Sequence, residues 1–129
     1  MNFKEILNQV AIFQLASSQE VNNTPTICEL KSNKLRYELM KEENEEYLYA
    51  CLDDDMVEVL DACIDKLYIL AGTINQHGLQ EIFEEAFNLV HENNMTKVVD
   101  GKVIRNADGK IMKPEGFQPV NLTNLLKKI

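Results

Sequence analysis

Apolar residues recur at three- and four-residue steps through most of the first 93 residues, which is the period of a helix that packs against a core. The pattern predicts four helices. Thr26 and Glu29 have the spacing of a capping box at the start of the second helix, and Gly78 fits a C-terminal stop for the third. The predicted helices cover about residues 2–16, 26–51, 53–76 and 79–93.

The pattern changes near the C-terminal end. Two Asp-Gly pairs separate short β-branched runs between residues 98 and 113, which is typical of a small β-hairpin or an extended arm. The final run, NLTNLLKKI, is compatible with one or two helical turns. We therefore predict an all-α fold, a four-to-five-helix bundle with a small C-terminal β-hairpin or arm.

Composition and charge refine this picture. The chain has 129 residues and is 45% hydrophobic, which suits one domain over residues 1–129. Its net charge is −8, but residues 1–96 contain 6 Lys or Arg against 18 Asp or Glu, whereas residues 97–129 contain 7 against 3. We therefore divide the domain into a helical body, residues 1–96, and a basic C-terminal arm, residues 97–129.

The same features exclude several classes of protein. The acidic body argues against general binding of nucleic acid, which needs a basic face. No apolar run approaches the ~20 residues of a membrane span, so we expect no membrane partner. Cys28, Cys51 and Cys63 have no CxxC spacing and lie among apolar or helical neighbours. They indicate reduced thiols in or near the core of a cytoplasmic protein.

Ten acidic residues and no Lys or Arg lie from Glu42 to Asp65. On the second helix Glu43 and Glu46 share a face, which Glu42 borders. On the third helix Glu58, Asp61 and Asp65 share a face beside an apolar stripe that we expect to be buried, formed by Val57, Leu60, Ile64 and Leu67. If the two helices pack antiparallel, the two sets of carboxylates converge.

Such a cluster repels itself unless it is protonated or holds cations. Oxygen ligands favour Mg²⁺ first and Mn²⁺ second. The alternative is a solvated acidic face without a ligand. Asp53, Asp54 and Asp55 have a simpler interpretation as a loop and helix caps.

Three segments resemble one family. RYELMKEENEEYLYA, from Arg36 to Ala50, resembles the EExxE segment of the MazG-like, all-alpha NTP pyrophosphohydrolases, a superfamily that includes phosphoribosyl-ATP pyrophosphohydrolases. VEVLDACIDKLYILAGT, from Val57 to Thr73, is similar to the second acidic helix of that family. HENNMTK and DGKIMKP, within residues 91–114, resemble the C-terminal arm of a phage- and bacterium-type branch.

One position departs from the usual family pattern. Glu-x-x-Asp is expected on the second acidic helix, but Ala62 stands where Glu would align if Asp65 is the Asp. The branch with Asp-x-x-x-Asp matches Asp61 and Asp65 instead, and Glu58 with Asp61 would give Glu-x-x-Asp one turn earlier. The ligand set on this helix therefore stays open.

The resemblance implies cleavage of a nucleoside triphosphate to the monophosphate and pyrophosphate with Mg²⁺, or Mn²⁺, by a homodimer or homotetramer. It does not imply which nucleotide is preferred. The implied metal ligands are Glu43, Glu46, Asp61 and Asp65. Glu42 or Glu58 would orient or deprotonate the attacking water, and Glu42 is favoured.

For the substrate, the basic arm would supply cations to the phosphates. Lys97 is the first candidate, followed by Lys102, Lys110 and Arg36, and Asn94 would hydrogen-bond the base or sugar. Two other functions stay open. One is a non-catalytic relative that binds a nucleotide or a protein, and the other is an acidic protein that mimics the charge of nucleic acid.

Overall fold

The computed structural model describes residues 1–127 and is mostly helical. The predicted all-α fold with a small C-terminal hairpin is confirmed. No helix in this described part is both long and apolar enough to cross a membrane. The elements are α1 (Phe3–Ala16), α2 (Leu30–Leu52), α3 (Met56–Gln76), α4 (Phe83–Met95), β1 (Ile104–Arg105), β2 (Ile111–Met112) and α5 (Thr123–Leu126).

The chain forms two compact units. The first is Met1–Glu81, and the second begins at Ile82 and therefore includes α4. The predicted boundary between body and arm, after residue 96, follows the change in charge and lies further along the chain. The assignment of residues 1–129 to one domain stays a prediction.

Helix α3 is the centre of the first unit, where both α1 and α2 pack against it. The contact with α1 buries Leu7, Val10 and Ile74. It also contains two buried amide side chains that bond across the helices. Gln14 Nε2 donates to the carbonyl oxygen of Gly72 at 2.9 Å, and Asn75 Nδ2 donates to the carbonyl oxygen of Leu7 at 2.9 Å.

Helices α2 and α3 are joined by the three-residue turn Asp53–Asp55, so two long contacting helices run antiparallel. Near this turn the contact is formed by small side chains, since Ala50 and Ala62 are both buried. At the other end Arg36 is buried, and its guanidinium donates to the carbonyl oxygen of Ile69 at 3.4 Å. The packing therefore brings the acid-bearing faces of α2 and α3 together.

The predicted start of α2 is wrong by about four residues. Thr26 does not cap the helix, because its hydroxyl donates to the carbonyl oxygen of Thr24 and its backbone N–H donates to the carbonyl oxygen of His77. Cys28 has a left-handed backbone with φ of 74°, which interrupts the helical path. The helix begins at Leu30, and no side-chain hydrogen bond caps its start.

The end of α3 agrees with the prediction that Gly78 stops the helix. Gly78 has φ of 68°, its N–H donates to the carbonyl oxygen of Asn75, and the N–H of Leu79 donates to that of Ile74. These two bonds form a Schellman motif. Leu79 is engaged in this motif and does not start the next helix, which begins at Phe83 rather than at residue 79 as predicted.

The second unit contains α4, the hairpin and α5. Strands β1 and β2 pair antiparallel, with Ile104 opposite Met112. Asp100 and Gly101 both have positive φ, and the bridge between Val99 and Lys102 closes a tight turn around them. The predicted hairpin is therefore confirmed. The short terminal helix is present in part, and residues 128 and 129 of the predicted NLTNLLKKI turn lie outside the described residues.

Two burial predictions are wrong for the single chain. The apolar stripe on α3 is exposed, with 74% of Val57, 62% of Leu60 and 54% of Ile64 accessible, because α1 and α2 cover other faces of this helix. All three cysteines are free thiols, but Cys51 and Cys63 are exposed rather than in the core. Cys28 is half-buried, and burial raises the pKa of its thiol to about 11.

Candidate active site

The acidic faces of α2 and α3 meet near the middle of both helices. Glu43, Glu46 and Asp65 each present one carboxylate oxygen, and these three oxygens lie within 4.8 Å of one another. The helical spacing explains the arrangement, since Glu43 and Glu46 are three residues apart on α2. Residues distant in sequence are thus brought within the reach of one small ion.

These carboxylates line an open cavity of about 560 Å³ in the first unit. Asp61 and Glu58 line it as well, although Asp61 is not one of the three acids whose oxygens converge. Glu42 is exposed and is not among the lining residues. The lining consists of Glu43, Glu46, Tyr49, Ala50, Asp53, Asp55, Glu58, Asp61, Ala62 and Asp65.

The crowding of negative charge changes the ionisation of two acids. The pKa of Glu43 rises from 4.5 to about 7, first because burial penalises its charged form, and then through a hydrogen bond with Glu46 and repulsion from Glu46, Asp65 and Glu42. The pKa of Asp65 is also raised, by burial and by the charges of Asp61 and Glu46. A carboxylate in such a place is stabilised by any cation that enters.

Two further observations fit a metal ion at this cluster. Oxygen Oε2 of Glu43 is buried and accepts no hydrogen bond within the described residues. None of the three converging carboxylates forms an ion pair with a Lys or Arg among residues 1–127. A buried acceptor without a partner among these residues, in a group of three carboxylates, suits a hard divalent cation such as Mg²⁺.

The predicted phosphate ligand Arg36 lies in a different environment. It is 7% exposed and two helical turns before Glu43, which corresponds to about 10 Å along the helix axis. Its guanidinium donates to Gln19 Oε1 and to the carbonyl oxygen of Ile69, both at 3.4 Å. Arg36 does not line the acidic cavity. These contacts connect Arg36 to the protein interior.

The other predicted substrate residues belong to the second unit. Lys97 is half-buried just after α4, and its ammonium donates to Asn94 Oδ1 at 3.2 Å. Lys102 and Lys110 are exposed, and their backbone groups hold the two Asp-Gly turns. The structure thus brings Lys97 and Asn94 into contact, and it places Lys102 and Lys110 on separate turns of the arm.

Sequence reasoning missed several residues that line the cavity. Asp55 caps α3 as predicted, by accepting from the N–H of Glu58, but Asp53 and Asp55 also line the cavity. Ala50 and Ala62 form buried parts of its wall. Helical spacing could have identified the two alanines as lining residues, because Ala50 follows Glu46 by four residues and Ala62 precedes Asp65 by three, which puts each on the face of its acid.

One comparison with known proteins bears on this cavity. The model of a protein family described as phosphoribosyl-ATP pyrophosphohydrolase matches residues 10–94. That span is more than half of the chain and contains every residue that lines the acidic cavity. No curated protein was found to match the chain.

Proposed function

Because the chain belongs to the phosphoribosyl-ATP pyrophosphohydrolase family, within the MazG-like all-alpha NTP pyrophosphohydrolases, we propose that it cleaves nucleoside or deoxynucleoside triphosphates in a Mg²⁺-dependent reaction. The family supports pyrophosphohydrolysis of nucleotides. The proposal that the reaction depends on Mg²⁺ and acts on triphosphates rests on the convergence of Glu43, Glu46 and Asp65 within the matched span. The products would be the nucleoside monophosphate and pyrophosphate.

Glu43, Glu46 and Asp65 would hold the metal, and Asp61 would join them from the adjacent turn of α3. The support for Glu43, Glu46 and Asp65 is the 4.8 Å grouping of their oxygens, together with the buried Oε2 of Glu43, which has no partner among the described residues. Asp61 is supported because it lines the same cavity. When bound, Mg²⁺ would neutralise the phosphate charge that develops in the transition state. Mn²⁺ is the second candidate because it accepts the same oxygen ligands.

The chain's own chemistry is to position and deprotonate a water molecule. The water oxygen attacks either the α- or the β-phosphorus, and the bond from that same phosphorus to the oxygen bridging the two breaks. The leaving group departs with the bridging oxygen and the electron pair. Glu42 and Glu58 are the two proposed acceptors of the water proton. Glu58 is supported because it lines the cavity, whereas Glu42 is supported because it is close enough for its charge to raise the pKa of Glu43.

Lys97, Lys102, Lys110 and Arg36 remain proposed partners of the phosphates, and Asn94 of the base or sugar. Lys97 is the best supported, since it is half-buried and already bonded to Asn94. Arg36 is the least supported, because its guanidinium is buried and bonded to other parts of the protein. If Lys97→Ala leaves KM and kcat unchanged, its phosphate role is wrong.

We also propose that the protein is a homodimer or homotetramer. The support is the apolar stripe on α3, where Val57, Leu60 and Ile64 share one helix face and are each more than half accessible. Exposed apolar side chains that share one face in this way mark interaction surfaces. Sedimentation analysis tests the proposal, with Ile64→Asp as the disrupting variant. A monomer at all accessible concentrations would overturn it.

The central test measures pyrophosphate release from a panel of the common NTPs and dNTPs, and from phosphoribosyl-ATP. Each substrate is assayed with Mg²⁺, with Mn²⁺ and with EDTA. Glu46→Gln should abolish metal-dependent turnover while the helical circular dichroism stays unchanged. Glu38→Gln is the matched control, because Glu38 is an exposed acid of the same helix outside the cavity.

Each result has a clear meaning. Metal-dependent release from one or a few substrates supports the reaction and identifies the preferred nucleotide. Substantial turnover by Glu46→Gln removes Glu46 from the ligand set. No release from any substrate by a folded protein contradicts catalysis. Nucleotide-dependent thermal stabilisation without release would favour a non-catalytic binding protein instead.

A further inference from the structure

Two lysines of the second unit have their ammonium groups close to the same aromatic ring. The ammonium groups of Lys97 and Lys113 each lie 5.5 Å from the ring centre of Phe117. Lys97 follows the last turn of α4, Lys113 follows β2, and Phe117 is half-buried in the loop after them. The N–H of Phe117 donates to the carbonyl oxygen of Pro114 at 3.1 Å, which fixes the turn that carries the ring.

No carboxylate among the described residues pairs with the positive charge of this group. Within residues 1–127 neither Lys97 nor Lys113 forms an ion pair with a carboxylate. In the part of the chain that the structure describes, the hydrogen-bond partner of the Lys97 ammonium is neutral, Asn94 Oδ1. The ring face of Phe117 attracts each ammonium group weakly, by about 0.5–1 kcal/mol at an exposed site, and leaves its charge in place. A bound anion would neutralise that charge.

Space for a ligand lies beside the ring. A cavity of about 230 Å³ is lined by Phe117, by Asn93 and Thr96 of the end of α4, and by the turn from Pro114 to Gln118. The lining contains one acid, Glu115, which does not pair with either lysine. Lys97 and Lys113 do not line the cavity themselves, but both lie at the ring of Phe117, which forms part of its wall. The wall also contains polar groups and one carboxylate, which opposes an anion.

We propose that Lys97 and Lys113 form a phosphoryl-binding site within the second unit, with Phe117 as the positioning residue that holds both ammonium groups. The ligand is a polyphosphate anion, either the triphosphate of the substrate or the pyrophosphate product. The choice of this anion rests on the proposed function, whereas the site itself rests on the geometry of the second unit. Lys113 and Phe117 thus join the residues that bind substrate or product.

The test uses inorganic pyrophosphate as the probe, with the full chain in EDTA so that the acidic cavity holds no metal. Calorimetry should detect binding of pyrophosphate, and Lys113→Gln should weaken that binding about ten- to a hundred-fold, because one charge-assisted hydrogen bond is lost. Lys113→Arg should restore most of the affinity. Lys127→Gln removes the same charge from an exposed position of the arm and should change the affinity for pyrophosphate less than about twofold.

Two variants separate a positioning role from a merely structural one. Phe117→Leu should weaken pyrophosphate binding without lowering the unfolding temperature by more than Lys127→Gln does, whereas Phe117→Tyr retains the ring and should bind normally. Glu115→Gln should strengthen binding, because it removes the one opposing charge. Under turnover, Lys113→Gln should raise KM and leave kcat within about twofold, since the charge acts on bound phosphate in ground and transition states alike.

The outcomes distinguish this site from the proposed reaction. Lysine-dependent binding of pyrophosphate by a protein that hydrolyses no nucleotide supports the site and contradicts the reaction. Normal hydrolysis with unchanged affinity and KM in Lys113→Gln contradicts the site and leaves the reaction standing. Inorganic phosphate and a nucleoside monophosphate serve as comparison ligands. If either binds as tightly as pyrophosphate, the preference for polyphosphate is wrong.

Discussion

Replacing Glu43 with Gln should remove a pH-dependent loss of stability from the metal-free protein. Burial and the neighbouring acids raise the pKa of Glu43 from 4.5 to about 7. Below pH 4.5 the carboxyl is protonated in both the folded and the unfolded chain, so its ionisation does not change the free energy of unfolding. Between the two values only the unfolded chain releases the proton, and the free energy of unfolding falls as the pH rises. Above about pH 7 the loss is complete.

The magnitude follows from the shift. One unit of pKa corresponds to about 1.4 kcal/mol, so an unscreened shift of this size would cost about 3 kcal/mol. Glu43 is half-buried and its cavity opens to water, so screening reduces the expected loss to about 1 kcal/mol. For a chain of this size that corresponds to a fall in the unfolding temperature of about 3–6 °C.

The assay is thermal unfolding by circular dichroism in EDTA, between about pH 5 and about pH 8. Wild type and the exposed control Glu38→Gln should lose stability in parallel across this range. Glu43→Gln should lose about 1 kcal/mol less than either, because its amide does not ionise. Saturating Mg²⁺ should flatten the wild-type profile, since a cation offsets the repulsion. An equal fall in Glu43→Gln and Glu38→Gln would refute the reasoning.

Three further results are expected. Asp61→Asn should weaken Mg²⁺ binding in calorimetry by about 10- to 100-fold, the effect of losing a carboxylate next to the three that converge within 4.8 Å. Gly78→Ala should lower the free energy of unfolding in urea by about 2–4 kcal/mol, since φ is 68° and a Cβ would lie 2.1 Å from the carbonyl oxygen of Thr24. Asn75→Leu should cost about 1–3 kcal/mol in the same assay, because it leaves buried acceptors, Gln14 Oε1 among them, without a donor. A stability equal to that of wild type would contradict either of the last two.

Helix boundaries show where sequence reasoning succeeds and where it fails. The stop at Gly78 and the cap at Asp55 depend on groups within a few residues, and both were predictable. The start of α2 was not, because Thr26 bonds to His77, which is 51 residues further along the chain. Local propensity competes there with a tertiary hydrogen bond, and the tertiary bond prevails.

The candidate site was also predictable only in part. Three- and four-residue spacing indicated that Glu43 and Glu46 share a face, and that Asp61 and Asp65 share another. The spacing gave no means of deciding which of these oxygens converge. The structure selects Glu43, Glu46 and Asp65, because the antiparallel contact of α2 and α3 sets which turns lie opposite each other.

The sequence by itself determined the helical class, the hairpin turns, the acidic and basic halves and the two acid-bearing faces. Each is encoded by residue type and by spacing over a few residues. Only the tertiary structure decided the raised pKa of Glu43, the exposure of the apolar stripe on α3 and the meeting of Lys97 and Lys113 at Phe117. These properties depend on which surfaces pack together, and packing joins groups that are far apart in the chain.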